Sequence, residues 1–231
     1  MAGKLNSEVV VLIPTFNEAE GLAPTVLEVK RFLGDPYILV IDAKSTDGTV
    51  QIARSLGLDV VFQEGFGKGD AIAKAIKVLR ECVDPEYVVL IDADYTYPAH
   101  YIPQMIKILK ENPGVGMVCG NRFEKPFSLA NVRSAYYIGN RLLAMTHRLV
   151  NGVKLTDPLT GLRVVRWEII RDWQPKSKSF DIEAELNYLV ERKGYKIKEI
   201  PIHYRKRLGE KKLKLRHGFT ILRRILAEAI S

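Results

Sequence analysis

Two carboxylates stand one residue apart in Ile91-Asp92-Ala93-Asp94, where the apolar run YVVLID over 87–92 ends. At the mouth of a strand such a pair can share a hard divalent cation with a substrate diphosphate. Mg²⁺ is held by one or two carboxylates and leaves its other positions to phosphate oxygens and water. An Asp-x-Asp is also a common solvated turn, so its meaning depends on what else reaches the same place. Pro14-Thr15-Phe16-Asn17-Glu18 follows another apolar run. It either brings a backbone amide, Thr15 and Glu18 to a common rim or is only a strand-to-helix turn. Asp42 ends a further run, and its carboxylate could accept hydrogen bonds from a nucleobase. The Asp47, Gly48 and Thr49 that follow read as a helix-opening turn.

Basic groups complete the set. Gly65-Phe66-Gly67-Lys68-Gly69-Asp70 fails the Walker spacing, because Gly69 and Asp70 follow Lys68. It predicts a flexible loop with Lys68 near a nucleotide phosphate. The dense basic run over 204–214 either neutralises phosphates or is solvated surface. If such a site transfers a group to a hydroxyl, a carboxylate base is required, and Asp157 and Glu183 are the candidates.

These groups need a scaffold that delivers them to one edge. Apolar, β-branched runs over 9–14, 37–42, 58–63, 87–92 and 115–119 alternate with helical patterns over 20–33, 45–56, 70–81 and 102–111. Ser45 or Thr46 is expected to cap the second helix. The alternation predicts an α/β fold with a doubly wound, mostly parallel sheet flanked by helices, and ligands at the carboxyl ends of its strands. The second half predicts a helix over 129–150, a turn and strand over 156–165, and a helix over 181–193 closed by Gly194. An edge strand over 195–204 follows. The last helical pattern, over 219–230, repeats Ile221, Leu222, Ile225, Leu226 and Ile230. That spacing suits a helix packed on the core or one lying in a membrane interface.

Composition narrows the partners. The 231 residues carry a net charge of +8, which suits a phosphorylated substrate, a membrane surface or nucleic acid. No helix-turn-helix, zinc or RNA-binding signature is present, so nucleic acid is not expected. An apolar share of 47% argues against disorder over most of the chain. No run of 18 apolar residues and no signal-like start occur, so a soluble or peripheral chain is expected. Cys82 and Cys119 fit no metal-ligand spacing and are expected to be buried free thiols.

Together these residues resemble glycosyltransferase family 2, in particular the dolichyl-phosphate mannose synthase branch of polyprenyl-phosphate hexosyltransferases. The carriers are the segments 13–18, 42–48 and 67–69, Asp92-Ala93-Asp94, Gly120-Asn121-Arg122-Phe123, and the segments 157–163, 180–183 and 209–213. The resemblance implies a GT-A fold and an inverting transfer of a hexose from a nucleotide-diphosphate sugar, GDP-mannose favoured, to a polyprenyl (dolichyl) phosphate. It implies Mg²⁺ or Mn²⁺ served by Asp92 and Asp94, with Pro14, Thr15, Glu18 and Asp42 around the nucleoside. Arg122 and Arg133 would meet the acceptor phosphate, and Arg207 and Lys212 would belong to a loop that closes over the donor. Residues 1–212 would then form the catalytic domain, 1–120 for the nucleotide sugar and 121–212 for the acceptor and closing loop. Residues 213–231 would be an amphipathic, membrane-interfacial helix, and the enzyme would sit at the cytoplasmic face of the membrane.

The chain departs from the family pattern at Ala43-Lys44, at Tyr137 and at Gly209-Glu210-Lys211-Lys212, which bear on the base and on the acceptor pocket. A family 2 enzyme using UDP-glucose or UDP-N-acetylglucosamine is the nearest alternative. A nucleotidyltransferase would want a glycine- and basic-rich signature after the first strand, which residues 14–18 do not supply.

Overall fold

The computed structural model describes residues 7–123, 135–212 and 217–229. Arg133 and the first residues of the helix expected over 129–150 lie outside them, as do 213–216 and 230–231 of the C-terminal segment. The strands are Val9–Thr15 (β1), Tyr37–Asp42 (β2), Asp59–Phe62 (β3), Tyr87–Leu90 (β4), Val115–Asn121 (β5), Arg163–Arg166 (β6) and Lys196–Pro201 (β7). They form one seven-stranded sheet in the order β3-β2-β1-β4-β6-β5-β7. Only β6 runs against its neighbours, β4 and β5; the other pairs are parallel. The expected edge strand is β7, and Gly194 before it takes a left-handed φ of 82°.

Helices Ala19–Leu33 (α1), Thr49–Ser55 (α2), Lys68–Cys82 (α3), Ile102–Glu111 (α4), Ala135–Asn151 (α5), Trp167–Ile170 (α6), Ile182–Arg192 (α7) and His217–Glu228 (α8) accompany the sheet. The central strands are apolar on both faces because both faces are covered. Val11, Ile13 and Val89 join Leu22 and Val26 of α1 and Met105 of α4 in one cluster. Val10, Leu12 and Val88 join Ile72 and Ile76 of α3 and Leu186 of α7 in the other. The period-two alternation of a strand thus divides the core in half.

Two local expectations change. Ser45 and Thr46 do not cap α2, which begins after Gly48 in a left-handed conformation (φ 96°). The Ser45 hydroxyl is drawn to Asp42 instead, at 2.6 Å, and Asp47 accepts the Thr49 amide at 3.0 Å. Cys119 is buried, and burial pushes its thiol up to about 12. Cys82 is exposed, because the chain turns extended at the end of α3 and buries Val83 in its place.

Of the two alternatives open for the last helix, Ile221 and Ile225 of α8 pack against Leu143 of α5 and Ala184 of α7. His147 of α5 fastens this corner. Its Nε2–H donates to the Ala184 carbonyl at 3.2 Å, and its Nδ1 accepts from Asn151 Nδ2 at 3.0 Å. A carbonyl only accepts and an amide NH₂ only donates, so the ring is neutral with its proton on Nε2. Asn151 also donates to the Ile225 carbonyl at 2.8 Å, tying α8 to the same ring.

Burial pushes the His147 pKa down to about 4. Above the ordinary value near 6.5 the ring is neutral whether folded or not. Between there and about pH 4, the unfolded chain takes a proton that the native ring refuses, so stability falls with pH. The expected loss is on the order of 3 kcal/mol. Chemical denaturation from pH 7.5 to 4.5 should show it, and His147→Gln should be less stable at pH 7.5 but lose less on acidification.

Candidate active site

The sheet order changes direction at β1, whose neighbours β2 and β4 are reached by connections on opposite sides. A crevice opens there at the strands' carboxyl ends. Three non-glycine residues among those described have left-handed backbone: Asn17 (φ 53°), Lys44 (φ 63°) and Tyr95 (φ 64°). They occupy the loops after β1, β2 and β4, all on this rim. Such conformations cost energy and persist where the surroundings impose them, which is common at functional sites.

The loops are locked together by Asp42. It is fully buried, and its Oδ2 accepts the hydroxyls of Thr15 at 2.8 Å and Ser45 at 2.6 Å, while Oδ1 accepts the Ser45 amide at 2.7 Å. Ser45 Oγ accepts the Asn17 amide at 2.8 Å, and Asn17 Oδ1 accepts the Thr46 amide at 2.8 Å. Pro14, Thr15, Glu18 and Asp42 therefore do converge. The Asp42 carboxylate, however, is spent inside the loops, where it fixes Thr15 and Ser45 and, through Ser45, Asn17.

Asp92 and Asp94 follow β4. Asp92 accepts Lys68 Nζ at 2.6 Å, and the same ammonium reaches Glu183 at 2.7 Å. Burial opposes ionisation of Asp92, but Lys68, with help from Arg122 and Arg207, outweighs it and holds the carboxyl below its usual range. Asp94 differs. Burial and the neighbouring Asp92 charge raise it, despite Thr96 Oγ at 2.5 Å and Arg207 at 2.6 Å. Arg207 also grips Glu18. Burial pushes Glu18 up to about 7 against the pull of Arg207 and Lys212, and its Oε2 is buried with no hydrogen-bond partner.

Close backbone approach makes this possible. A Cβ on Gly21 would lie 2.7 Å from the Asp94 Cα, and one on Gly161 would lie 2.5 Å from the Asp92 Cγ. The segment after β7 crosses the same rim: the Arg205 and Leu208 amides donate to the Thr96 and Asp94 carbonyls at 3.0 and 3.1 Å. Arg205 grips Glu28 with two bonds of 2.7 Å and lies over Tyr95, and Lys212 donates to the Asn17 carbonyl at 3.0 Å.

Arg122 lies at the end of β5. Its Nε and Nη2 donate to Asp157 at 2.7 Å each, a two-bond fork, and its guanidinium packs on the rings of Phe123 and Tyr204. Glu199 accepts the amides of Thr156 and Asp157 at 2.8 and 2.7 Å, fixing the loop that carries the carboxylate.

Sequence reasoning gave no role to Glu199, Tyr97 or Arg163. Tyr97 accepts the Gly161 amide at 2.7 Å. Arg163 is buried with no carboxylate partner among the described residues; it donates to the carbonyls of Pro158 at 2.6 Å and Thr160 at 2.9 Å and to Asn187 Oδ1 at 2.5 Å. The loop 157–162 is thus wrapped around a guanidinium. The signal that could have found it is an arginine set between the apolar Leu162 and Val164-Val165.

Among the described residues no three His, Cys, Asp or Glu side chains cluster to hold an ion. Two carboxylates, one of them raised by its neighbour, together with the unpartnered Glu18 oxygen, fit a cation shared with a bound diphosphate rather than one held by protein alone.

Replacing Arg163 leaves the Thr160 carbonyl and Asn187 Oδ1 without donors, at about 1–3 kcal/mol each, while Asn187 Nδ2 still serves the Pro158 carbonyl at 3.0 Å. Urea unfolding of Arg163→Met should show a loss on the order of 3 kcal/mol. Arg163→Lys, which keeps the charge but cannot span the same acceptors, should recover less than half of it.

Comparison with known proteins agrees with this architecture. Residues 10–173 match the model of glycosyl transferase family 2. The chain is 33% identical over 198 residues to glycosyltransferase AglJ of Haloferax volcanii, covering 85% of this chain and 62% of that protein, so it spans less than two thirds of that relative's length. It is 31% identical to a dolichyl-phosphate hexose transferase of the same organism, over 89% of this chain and 86% of that protein. With an undecaprenyl-phosphate mannosyltransferase of Micrococcus luteus it shares 26% identity over 89% and 87%. Glucosyl-3-phosphoglycerate synthase from Mycobacterium tuberculosis, solved with Mn²⁺, UDP-glucose and phosphoglyceric acid, has the same fold. Its TM-score is 0.74 at 21% identity, over 96% of this chain and 80% of that one. With a family model matched across most of the sheet and a relative above 30% identity along most of its length, this chain belongs to glycosyl transferase family 2 and is a glycosyltransferase of the GT-A fold.

Proposed function

We propose that the enzyme moves a hexose from a nucleotide-diphosphate sugar to a polyprenyl phosphate of the dolichyl type, inverting the anomeric carbon, with GDP-mannose the favoured donor. The observation that carries the acceptor class is the condition of the two candidate bases. Both Asp157 oxygens accept the Arg122 fork at 2.7 Å, and Glu183 accepts Lys68 at 2.7 Å. Neither is free to take a proton from a sugar hydroxyl. A phosphate monoester arrives ionised near neutral pH and needs no base. Arg122, held from behind by Asp157 and flanked by Phe123 and Tyr204, is a pre-oriented cation for such an oxygen. The names of the Haloferax and Micrococcus relatives point to lipid-phosphate acceptors in those proteins.

In this reading one phosphate oxygen attacks the anomeric carbon as its bond to the donor's β-phosphate oxygen breaks. The electron pair leaves with the nucleoside diphosphate. Asp92 and Asp94 would hold Mg²⁺ or Mn²⁺, which when bound offsets charge on the diphosphate. Lys68, Arg207 and Lys212 supply fixed positive charge at the same rim, and Thr15 and Glu18 border the nucleoside. Arg133 joins Arg122 at the acceptor on the strength of the family resemblance. Residues 1–212 act as the catalytic unit, 1–120 serving the donor and 121–212 the acceptor. The lipid acceptor makes the enzyme a peripheral protein at the cytoplasmic face of a membrane. Among the described residues no helix is long and apolar enough to cross one.

A screen of nucleotide sugars with Mn²⁺ and a short polyprenyl phosphate, products separated by chromatography, should give one lipid-linked hexose. Turnover only with a hydroxyl acceptor would refute the acceptor, and consumption of UDP-glucose alone would refute the base. Asp94→Asn should lower kcat by on the order of 100-fold or more. Arg122→Lys, which loses the planar fork, should raise KM for the lipid phosphate about tenfold while donor KM stays within twofold.

A further inference from the structure

Both oxygens of Asp94 are taken by the chain's own donors. Oδ1 accepts the Thr96 hydroxyl at 2.5 Å and the Thr96 amide at 3.1 Å, and Oδ2 accepts Arg207 Nη1 at 2.6 Å. Thr96 belongs to the same turn and cannot withdraw without unmaking it. Arg207 comes from a separate segment and can. A cation that is to reach Asp94 therefore has to take the place of the guanidinium.

That segment, residues 202–212, leaves β7 as an extended strap across the strand rim. The Ile202 amide donates to the Asn121 carbonyl at 2.9 Å, and the His203 amide to the Tyr101 hydroxyl at 3.1 Å. The Arg205 and Leu208 amides then hold Thr96 and Asp94 as described above. Arg205 and Arg207 are half-buried, while Lys206 and Leu208 between and beyond them are exposed. Past Leu208 the hold passes to side chains, with Lys212 on the Asn17 carbonyl and Lys211 over the Tyr136 ring.

The grip of Arg207 is incompletely satisfied. Its Nε–H is buried with no acceptor, and Oε2 of Glu18, the second carboxylate it holds, is buried with no donor. Each such orphan costs free energy that a matching partner would recover. The N–H lacks an anion's oxygen and the carboxylate lacks a cation. A divalent cation that arrives on a diphosphate carries both.

We propose that Arg207 is a stand-in cation: by occupying Asp94 and Glu18 it holds the strap 202–212 down over the acid pair, and a divalent cation enters by displacing it, which frees the strap. The inference rests on the assignment of the metal to Asp92 and Asp94, and adds that strap and metal are alternatives at one carboxylate. A bare cation is opposed by this latch. One that brings a diphosphate offsets the lost contacts, because the displaced guanidinium gains phosphate oxygens.

Mn²⁺ binding to the full chain, read from the electron paramagnetic resonance signal of the free ion with no nucleotide sugar present, tests this. Arg207→Gln should bind Mn²⁺ about tenfold more tightly than the native chain, since a closed strap lowers the competent population. Removing a nearby positive charge would also favour Mn²⁺, so Gly209→Val supplies a charge-neutral comparison. Gly209 has a left-handed φ of 73°, which a β-branched residue strains. This variant should loosen the strap and tighten Mn²⁺ binding about threefold. Hydrogen exchange of a peptide holding the Arg205 and Leu208 amides should quicken in both variants, and in the native chain at saturating Mn²⁺. Faster exchange in Gly209→Val at native Mn²⁺ affinity overturns the latch, as does unaltered exchange in native chain saturated with Mn²⁺. Asp94→Asn separates the two readings. If it binds Mn²⁺ as tightly as the native chain, the metal assignment falls and the latch with it. If it loses Mn²⁺ while Arg207→Gln and Gly209→Val keep native affinity, the latch alone falls.

Discussion

Carboxylates gathered at one strand rim repel one another, and the site holds together because each is answered by a particular cation. Lys68 spans Asp92 and Glu183, Arg207 spans Asp94 and Glu18, and Arg122 grips Asp157. Partly buried pairs of this sort are costly to break from one side, since the partner left behind keeps its desolvation penalty. Lys68 of α3 and Arg207 after β7 fasten distant parts of the chain to the end of β4, and Arg122, just after β5, holds the loop that carries Asp157. In the proposed function a donor diphosphate would meet positive charge that is already positioned, and a cation with it would meet carboxylates that repel each other.

The state of each acid is set by burial working against the cation that answers it. Asp92 is held ionised, Asp94 is raised by burial and by Asp92, and Glu18 is raised by burial to about 7. Asp157 and Glu183 are each held by a cation, Arg122 and Lys68, the feature on which the proposed acceptor class rests. Arg163 underlies this half of the site: by ordering the Pro158 and Thr160 carbonyls it shapes the loop that carries both Asp157 and Gly161. The tight seat of Gly161 on Asp92 then joins the loop that carries Asp157 to the carboxylate pair after β4.

The corner made by α5, α7 and α8 stands apart from this charge lattice but is linked to it. His147 and Asn151 bind the three helices, and Arg224 of α8 reaches Asp181 and Glu185 at the start of α7. Glu185 in turn accepts the amides of Lys176 and Ser177. The Lys178 carbonyl next to them accepts the Gly69 amide, beside Lys68. Contiguous contacts therefore run from this corner to the lysine that neutralises Asp92.

Much of this was legible in the chain. Period-two and 3.6-residue spacings are local, so the parallel strands, their covering helices and the position of Asp92 and Asp94 at a strand end followed from sequence, as did the family. Pairings were not legible, because they join residues far apart whose contact depends on how the layers close. Lys68 was expected near a phosphate and is found between Asp92 and Glu183; Asp42 was expected toward a base and is enclosed by Thr15 and Ser45. The same limit governs the amphipathic helices. Sequence by itself determined that α8 has an apolar face, and over 129–150 it determined only a helix of mixed character. Only tertiary packing decided that α8 spends its face on Leu143 and Ala184 while α5 is left with a second one in solvent, because burial is set by what a helix lies against and not by its own period.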